Sequence, residues 1–522
     1  MKLISILLSL LSCAVMMAGG TKAVNPILWS DVPDPDVIRV GEDYYMVSTT
    51  MHLMPGVPVM HSRDLVHWET VNYVYDKLAD NSLYDLEGGT VYGRGQWATS
   101  IRYHKGTYYL LFSPNDRPYR SYIYTATDPA GEWTLRCRTN HFHDASLFID
   151  DDDRAYVFYG TGQVAELNKD FSGLKEGGLR KTLFQRDATE TGLLEGSRVI
   201  KKDGKYYLLM ISWPNGGKRR QVCYRADSIG GPYEKEVILL DNLQGFGYVG
   251  QGTIVDDIHG NWYGVIFQDR GGVGRVLTLE PCRWKDGWPM LGDESGRIPE
   301  TFTVPLEPFV PKDGIIGSDG FDSPTLSRLW QWNHNPINAL WSLTERPGWL
   351  RLKTGRIVDN VFLAPNTLTQ RMPGPQCEGT VAIDVSNMHD GDVCGLAAFN
   401  GDSGLLSIVQ EGRKRTLRLS FESVELQDPG KRVTGVNKET VATVPLKGDR
   451  VWLRAHGDFR LGKDLATFSY STDGKTFTTI GKPFKMVFDY RRMFMGTKFA
   501  LYCYATKQIG GWADFDSFDF NQ

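Results

Sequence analysis

The chain has no cluster of Lys or Arg: 58 basic residues stand against 62 acidic ones, for a formal net charge of −4 over 522 residues. Without a basic stripe there is nothing to neutralise a phosphate backbone, so nucleic acid is excluded as a partner. Nor is there a C-x-x-C pair among the seven cysteines, Cys13, Cys137, Cys223, Cys282, Cys377, Cys394 and Cys503. Scattered cysteines in so large a chain argue against a zinc site or a dense disulfide framework and predict buried free thiols. No helical stripe longer than about ten residues occurs. Past Met17 no apolar run is long enough to cross a membrane, so no transmembrane span is expected.

What is present is strand-forming material, with 14 Trp, 24 Tyr and an aromatic share of 12%. Aromatics favour strands and also offer flat faces on which sugar rings stack. The stretch from Asp31 to Ser48, DVPDPDVIRVGEDYYMVS, sets a pattern: a polar opening residue, a short apolar run, a Gly/Asp turn, then an aromatic pair leading a second run. It returns from Ala98, Asp144, Glu195 and Gln251, at intervals of roughly 45 to 65 residues, the spacing of propeller blades rather than of helical solenoids. If each copy supplies the inner strands of one blade, the opening residues converge at one height on the axis. That ring reads Asp34, Ala98, Asp144, Glu195, Gln251. Gathering three carboxylic acids costs several kcal/mol unless function compensates, which marks the ring as the candidate site.

The N-terminus reads Lys2, an apolar run from Leu3 to Met17, small residues and Thr21-Lys22-Ala23, the pattern of a secretory leader over residues 1–23. Export to the periplasm is expected. The alternative is membrane anchoring through a lipid on Cys13, since Leu10-Leu11-Ser12-Cys13 forms a loose lipobox. The five copies place an all-β propeller at residues 24–305. A Pro-rich linker follows at 306–316, and alternating strands with turn signals predict a β-sandwich over 317–522.

Several of these stretches resemble the blade motifs of glycoside hydrolase family 43: PDPDVIRVGEDYYMVSTT, WATSIRY, HDASLFIDDD, EGSRVIKKDGKYYL and GRVLTLEPCRWKDGWPM. GFDSPTLSRLWQWNHNP is similar to the start of the concanavalin-like sandwich that many members carry. The resemblance covers nearly all of the chain after the leader. It implies a five-bladed propeller with an exo-acting, inverting glycosidase site that removes terminal arabinofuranose or xylose from plant cell-wall oligo- and polysaccharides. Carried over by position, the general base falls on Asp34, the orienting and pKa-modulating acid on Asp144, and the general acid on Glu195. Arg275 matches an active-site arginine; Trp97 and Gln251 are the further candidate substrate-binding residues. Gln251 stands where many members have a His tied in some to a central calcium or water cluster, which puts a calcium here in doubt; no cofactor is required, a structural calcium is the lesser alternative, and a monomer is expected. Ser197 stands where Pro is common. Gln251, the QDRGGVGRV stretch and the leader point to an α-L-arabinofuranosidase, with β-xylosidase as the alternative. A glycan-binding propeller without catalysis would have no reason to keep acids with opposed protonation demands.

The residues themselves suit these roles. Asp34 sits between Pro33 and Pro35, a stiff setting for a base that must aim a water. Glu195 must hold a proton near neutral pH, which calls for burial beside another negative charge, and Asp144 in the next blade supplies it. Asp36, two residues from Asp34 in an extended segment, is expected to face the other way and be structural. The run Asp150 to Asp153 occupies the turn position and is expected to be a solvated turn rather than a calcium loop. Gly271-Gly272-Val273-Gly274 is expected to let the backbone approach the axis before Arg275, and Trp97 to stack on the sugar.

Overall fold

The repeated hairpins form where turn chemistry requires them. Lys202 pairs with Lys205 across Asp203 and Gly204, at φ 50° and 76°. His104 likewise pairs with Thr107 across Lys105 and Gly106, at φ 49° and 83°. Two successive left-handed residues make the tight turn whose twist matches the strands, and a glycine in second place lowers its cost. In the first copy Val40 pairs with Asp43 across Gly41 and Glu42.

The computed structural model describes residues 19–522; Cys13 and the apolar run of the leader lie outside them. Each hairpin is the inner half of a four-stranded antiparallel sheet, and the five sheets open at Asp36, Gln96, Ser146, Leu193 and Gly252. Their inner strands touch in a closed ring, Asp36–Val40 to Gln96–His104 to Ser146–Ile149 to Leu193–Lys202 to Gly252–Asp256 and back to Asp36–Val40. This is a five-bladed β-propeller. Apolar layers fill the gaps between blades; Phe148, Phe158, Val199 and Met210 are buried between the third and fourth, each such side chain contributing about 1.5–3 kcal/mol. The ring closes through packing and through Arg39, whose guanidinium donates to both oxygens of Asp256 at 3.1 and 2.6 Å. The acidic turn is solvated at Asp151 and Asp152, as expected, but Asp150 is buried under Lys201 and Tyr206, and the charges are met by neighbouring blades: Lys201 donates to Asp150 and Asp151, and Lys105 and His104 reach Asp153. The six cysteines among the described residues are free, and all but Cys137 are buried.

The leader boundary read at residue 23 falls inside the fold. Thr21–Val24 is a strand paired with Thr301–Val304, and Ala23 is fully buried. The small residues that look like a cleavage site alternate inward and outward as a short strand does. The linker lies on the propeller, with Leu306, Ile315 and Ile316 in the core between the first and fifth blades.

From residue 317 the chain forms two facing sheets. One runs Arg432–Pro445, Lys414–Gln427, Asp402–Glu411, Asp392–Phe399, Lys498–Ala505, Leu368–Arg371, Gln331–Asn333; the other is centred on Trp512–Asn521, Gln376–Asp384 and Arg450–Asp458. The first sheet ends in a strand that the propeller provides, Leu53–Met54, which pairs with Asn333 and Trp332.

Candidate active site

Backbone shape gathers the site. Asp34, Asp144 and Gln251, each just ahead of an inner strand, are in the left-handed region at φ 55°, 46° and 73°. In the fourth blade Gly196 takes it instead at 73°, directly after Glu195, and the ladder shifts register between Glu195 and Arg198. For a residue with a Cβ this costs about 1 kcal/mol, least for Asp. It also breaks the alternation of the pleat, which frees these side chains from the blade interfaces. A Cβ on Gly196 would come within 2.7 Å of Gln251 Cδ, so the glutamine is packed directly against this kink.

Asp34 and Asp144 are each 7% exposed. Thr49 donates its hydroxyl to Asp34 Oδ2, and Arg275 Nη1 stands 3.5 Å from Oδ1. Beneath them Arg198, fully buried, fills the axis; its guanidinium donates to the carbonyls of Asp34 (2.8 Å), Pro35 (3.3 Å), Thr99 (3.2 Å) and Ser197 (2.8 Å). Arg102 lies next to it, bonded to Asp36 Oδ2 at 2.7 Å. The two arginines separate the ring of acids from a cleft of about 270 Å³ at the opposite end of the axis. Asp36 is fully buried and serves these cations, the structural role expected of it.

Across the ring, His143 Nε2 is 3.1 Å from Glu195 Oε2 and 3.9 Å from Asp144 Oδ2. Burial, and then the charge of Glu195, push Asp144 up to about 7 against the opposing pull of His143. The hydrogen bond to Glu195, then the Asp144 charge, push His143 up to about 9. These three form the one group among the described residues whose donor atoms, all within 4.8 Å of one another, could share a cation; an imidazolium at His143 supplies that positive charge. Asp34 is not part of the cluster. The arrangement sets a carboxylate facing a guanidinium on one side of the ring, and a carboxyl pair with a proton-rich imidazole on the other.

The remaining wall comes from the sandwich. Phe494, at φ 56°, accepts Arg275 Nη2 on its carbonyl at 3.0 Å, and its ring lies 4.4 Å from the guanidinium carbon and 5.8 Å from Trp97. Asp31 fixes this segment. Its carboxylate accepts the backbone N–H of Arg275 (2.9 Å) and of Gly496 (2.8 Å) and faces Lys498 at 3.5 Å. Burial works against the Asp31 carboxylate, yet Lys498, Arg275 and the two N–H groups hold its pKa below the usual value, while burial lowers Lys498 to about 8.

Residues 23–289 match the family described as Glycosyl hydrolases family 43, and residues 318–521 match the Beta xylosidase C-terminal Concanavalin A-like domain. The chain belongs to glycosyl hydrolase family 43. It is 29% identical to a beta-xylosidase of Formosa agariphila, over 96% of this chain and 91% of that one. It is 32% identical to a non-reducing end alpha-L-arabinofuranosidase of Bacteroides ovatus, over 77% of this chain and 78% of that one. A solved bifunctional GH43-CE protein of Bacteroides eggerthii superposes with a TM-score of 0.88 at 41% identity, covering 96% of this chain; this chain spans 64% of that longer one.

In this family 43 chain the ring residues read from the sequence do meet: Asp34, Asp144, Glu195 and Gln251 share the axis, with Arg275 and the half-buried Trp97 against them. Arg275 follows a glycine-rich turn, Gly271 to Gly274. The glycines before it allow close packing on both domains: a Cβ on Gly271 would lie 2.6 Å from Asp464 of the sandwich, and one on Gly274 2.4 Å from Asp31 of the propeller and 2.8 Å from Gly496 of the sandwich. Sequence reasoning missed His143, Arg198 and Phe494. The first was legible as the residue before Asp144, while Arg198 reads as one more basic residue in SRVIKK, and Phe494 carries no local signal.

Proposed function

We propose that the protein is an exo-acting, inverting glycosidase that removes one terminal pentose from plant cell-wall oligosaccharides. The observation that carries this is the opposition of Asp34, set against Arg275, to Glu195, set against Asp144 and His143, at the mouth of an axis filled below by Arg198. In this reading Asp34 takes a proton from a water as its oxygen attacks the anomeric carbon. Glu195 gives a proton to the glycosidic oxygen as the bond to the aglycone breaks. In this reading Asp144 modulates and orients the acid from the neighbouring blade, and His143, 3.1 Å from Glu195 Oε2, orients its carboxyl. With buried Arg198 bonded to the backbone beneath Asp34, a substrate cannot thread the axis, which suits exo action on a chain end.

Within that chemistry we favour the α-L-arabinofuranoside, on Gln251, the QDRGGVGRV stretch and the likeness to the arabinofuranosidase of Bacteroides ovatus. The β-xyloside is the second reading, because the Formosa agariphila relative that matches 96% of the chain is named a beta-xylosidase. Aryl α-L-arabinofuranoside and aryl β-D-xyloside assayed side by side decide it. A kcat/KM ratio of about tenfold or more for the arabinofuranoside is expected, and the same ratio for the xyloside would reverse the assignment. Export belongs to the proposal, with leader cleavage before Thr21 because Thr21–Val24 is a paired strand; an intact mass showing cleavage after Ala23 would contradict that.

A further inference from the structure

A pocket that holds one sugar leaves the rest of the substrate on its rim, and the side of the rim is set by the proton donor. The group that protonates the leaving oxygen faces the aglycone, so the next sugar of the chain must lie beside Glu195. Leu193 and Glu195 are two residues apart in the strand Leu193–Lys202, hence on one face and roughly 7 Å apart along it. In the ladder Leu193 is opposite Trp213 and Glu195 is opposite Ile211. Directly paired residues of an antiparallel ladder share a face, so Trp213 stands on the same face as Glu195, one step further out toward solvent.

Burial does not account for Trp213. It is 47% exposed, and Leu193 across from it 38%. The indole is nevertheless fixed: its Nε1 donates to the carbonyl of Gly217 at 3.1 Å, and the guanidinium carbon of Arg219 lies 4.9 Å from a ring centroid. Arg219 is itself tied to Asp269. The ring is thus backed by a cation that another ion pair holds, its one donor is satisfied within its own turn, and a broad apolar face is left open to water. A rigid aromatic face costs little conformational entropy when a ligand covers it.

We propose that Trp213, with Leu193 beside it, is the binding platform for the sugar ring on the leaving-group side of the scissile bond, taking a backbone pyranose by stacking on its apolar face. The inference rests on the reading of Glu195 as proton donor. The test compares kcat/KM of wild type, Trp213→Leu, Trp213→Phe and Leu193→Ser on two substrates: a pentose-capped xylo-oligosaccharide and the corresponding pentosyl fluoride, whose leaving group carries no sugar. Trp213→Leu, which keeps apolar bulk but loses the ring, is expected to lower kcat/KM on the oligosaccharide by about tenfold or more, equivalent to about 1.4 kcal/mol of transition-state binding, and to leave the fluoride unchanged. Trp213→Phe should recover most of the loss, and Leu193→Ser should show a smaller loss on the oligosaccharide alone. Equal losses on both substrates, or none on the oligosaccharide, would overturn the platform. Failure of the underlying glycosidase reading shows separately, as a wild type that hydrolyses neither substrate.

Discussion

Asp34 and Glu195 carry the same functional group and are asked for opposite proton movements, so their variants should differ by substrate. Asp34→Ala is expected to lower kcat roughly a thousandfold on every substrate, because no other group on that side of the ring activates water. Glu195→Ala should lose as much on an unactivated oligosaccharide but far less on an aryl glycoside whose leaving group needs no proton; near-native turnover of the Asp34 variant on the oligosaccharide would refute the assignment. His143 adds a pH dependence. An imidazolium beside Asp144 and Glu195 favours ionised carboxyls, so its removal lets the cluster keep its last proton to higher pH. His143→Gln should therefore move the alkaline limb of the kcat/KM profile upward by about one pH unit; a limb that stays in place or moves down contradicts this role. The three acids were legible in the sequence because each opens a copy of one repeat. His143 and Arg198 were not, because their roles come from what stands opposite them in other blades, to which no spacing within the repeat points.

The hairpins were legible for a local reason. Asp-Gly and Lys-Gly turns write their backbone shape into two residues, and Lys202 to Lys205 and His104 to Thr107 form where those pairs occur. The segment from Asp489 to Lys498 has no such signature, since the positive φ of Phe494 and its approach to Arg275 depend on Asp31, more than four hundred residues away in sequence. Two variants separate its parts. Phe494→Ala removes a half-buried ring from the pocket wall and should lower kcat/KM by about tenfold with the thermal midpoint nearly unchanged. Asp31→Asn leaves Lys498 buried without its partner and should cost about 3 kcal/mol of stability as well as activity. A Phe494 variant with full activity would remove the sandwich from the account of the site.

The five-fold repeat and the alternation past residue 317 made both domains readable from the sequence. Their union was not, because it is made of pieces too small to carry a pattern: the two-residue strand Leu53–Met54 at the edge of a sandwich sheet, and glycines whose missing side chains admit Asp464 and Gly496. One core runs through both domains, with Val59 and Tyr75 of the first blade and Trp332 and Leu368 of the sandwich in the same cluster. The candidate site is therefore built by both domains, with Asp34 and Glu195 on non-adjacent blades and Phe494 of the sandwich against Arg275 and Trp97. In the inverting reading a water stands between Asp34 and the sugar, and that water defines the stereochemistry. The decisive measurement is proton NMR of the first anomer released from an unbranched pentosyl oligosaccharide, recorded before mutarotation. The account predicts inversion, β-L-arabinose from an α-L-arabinofuranoside or α-D-xylose from a β-D-xyloside, and the retained anomer as first product would contradict it.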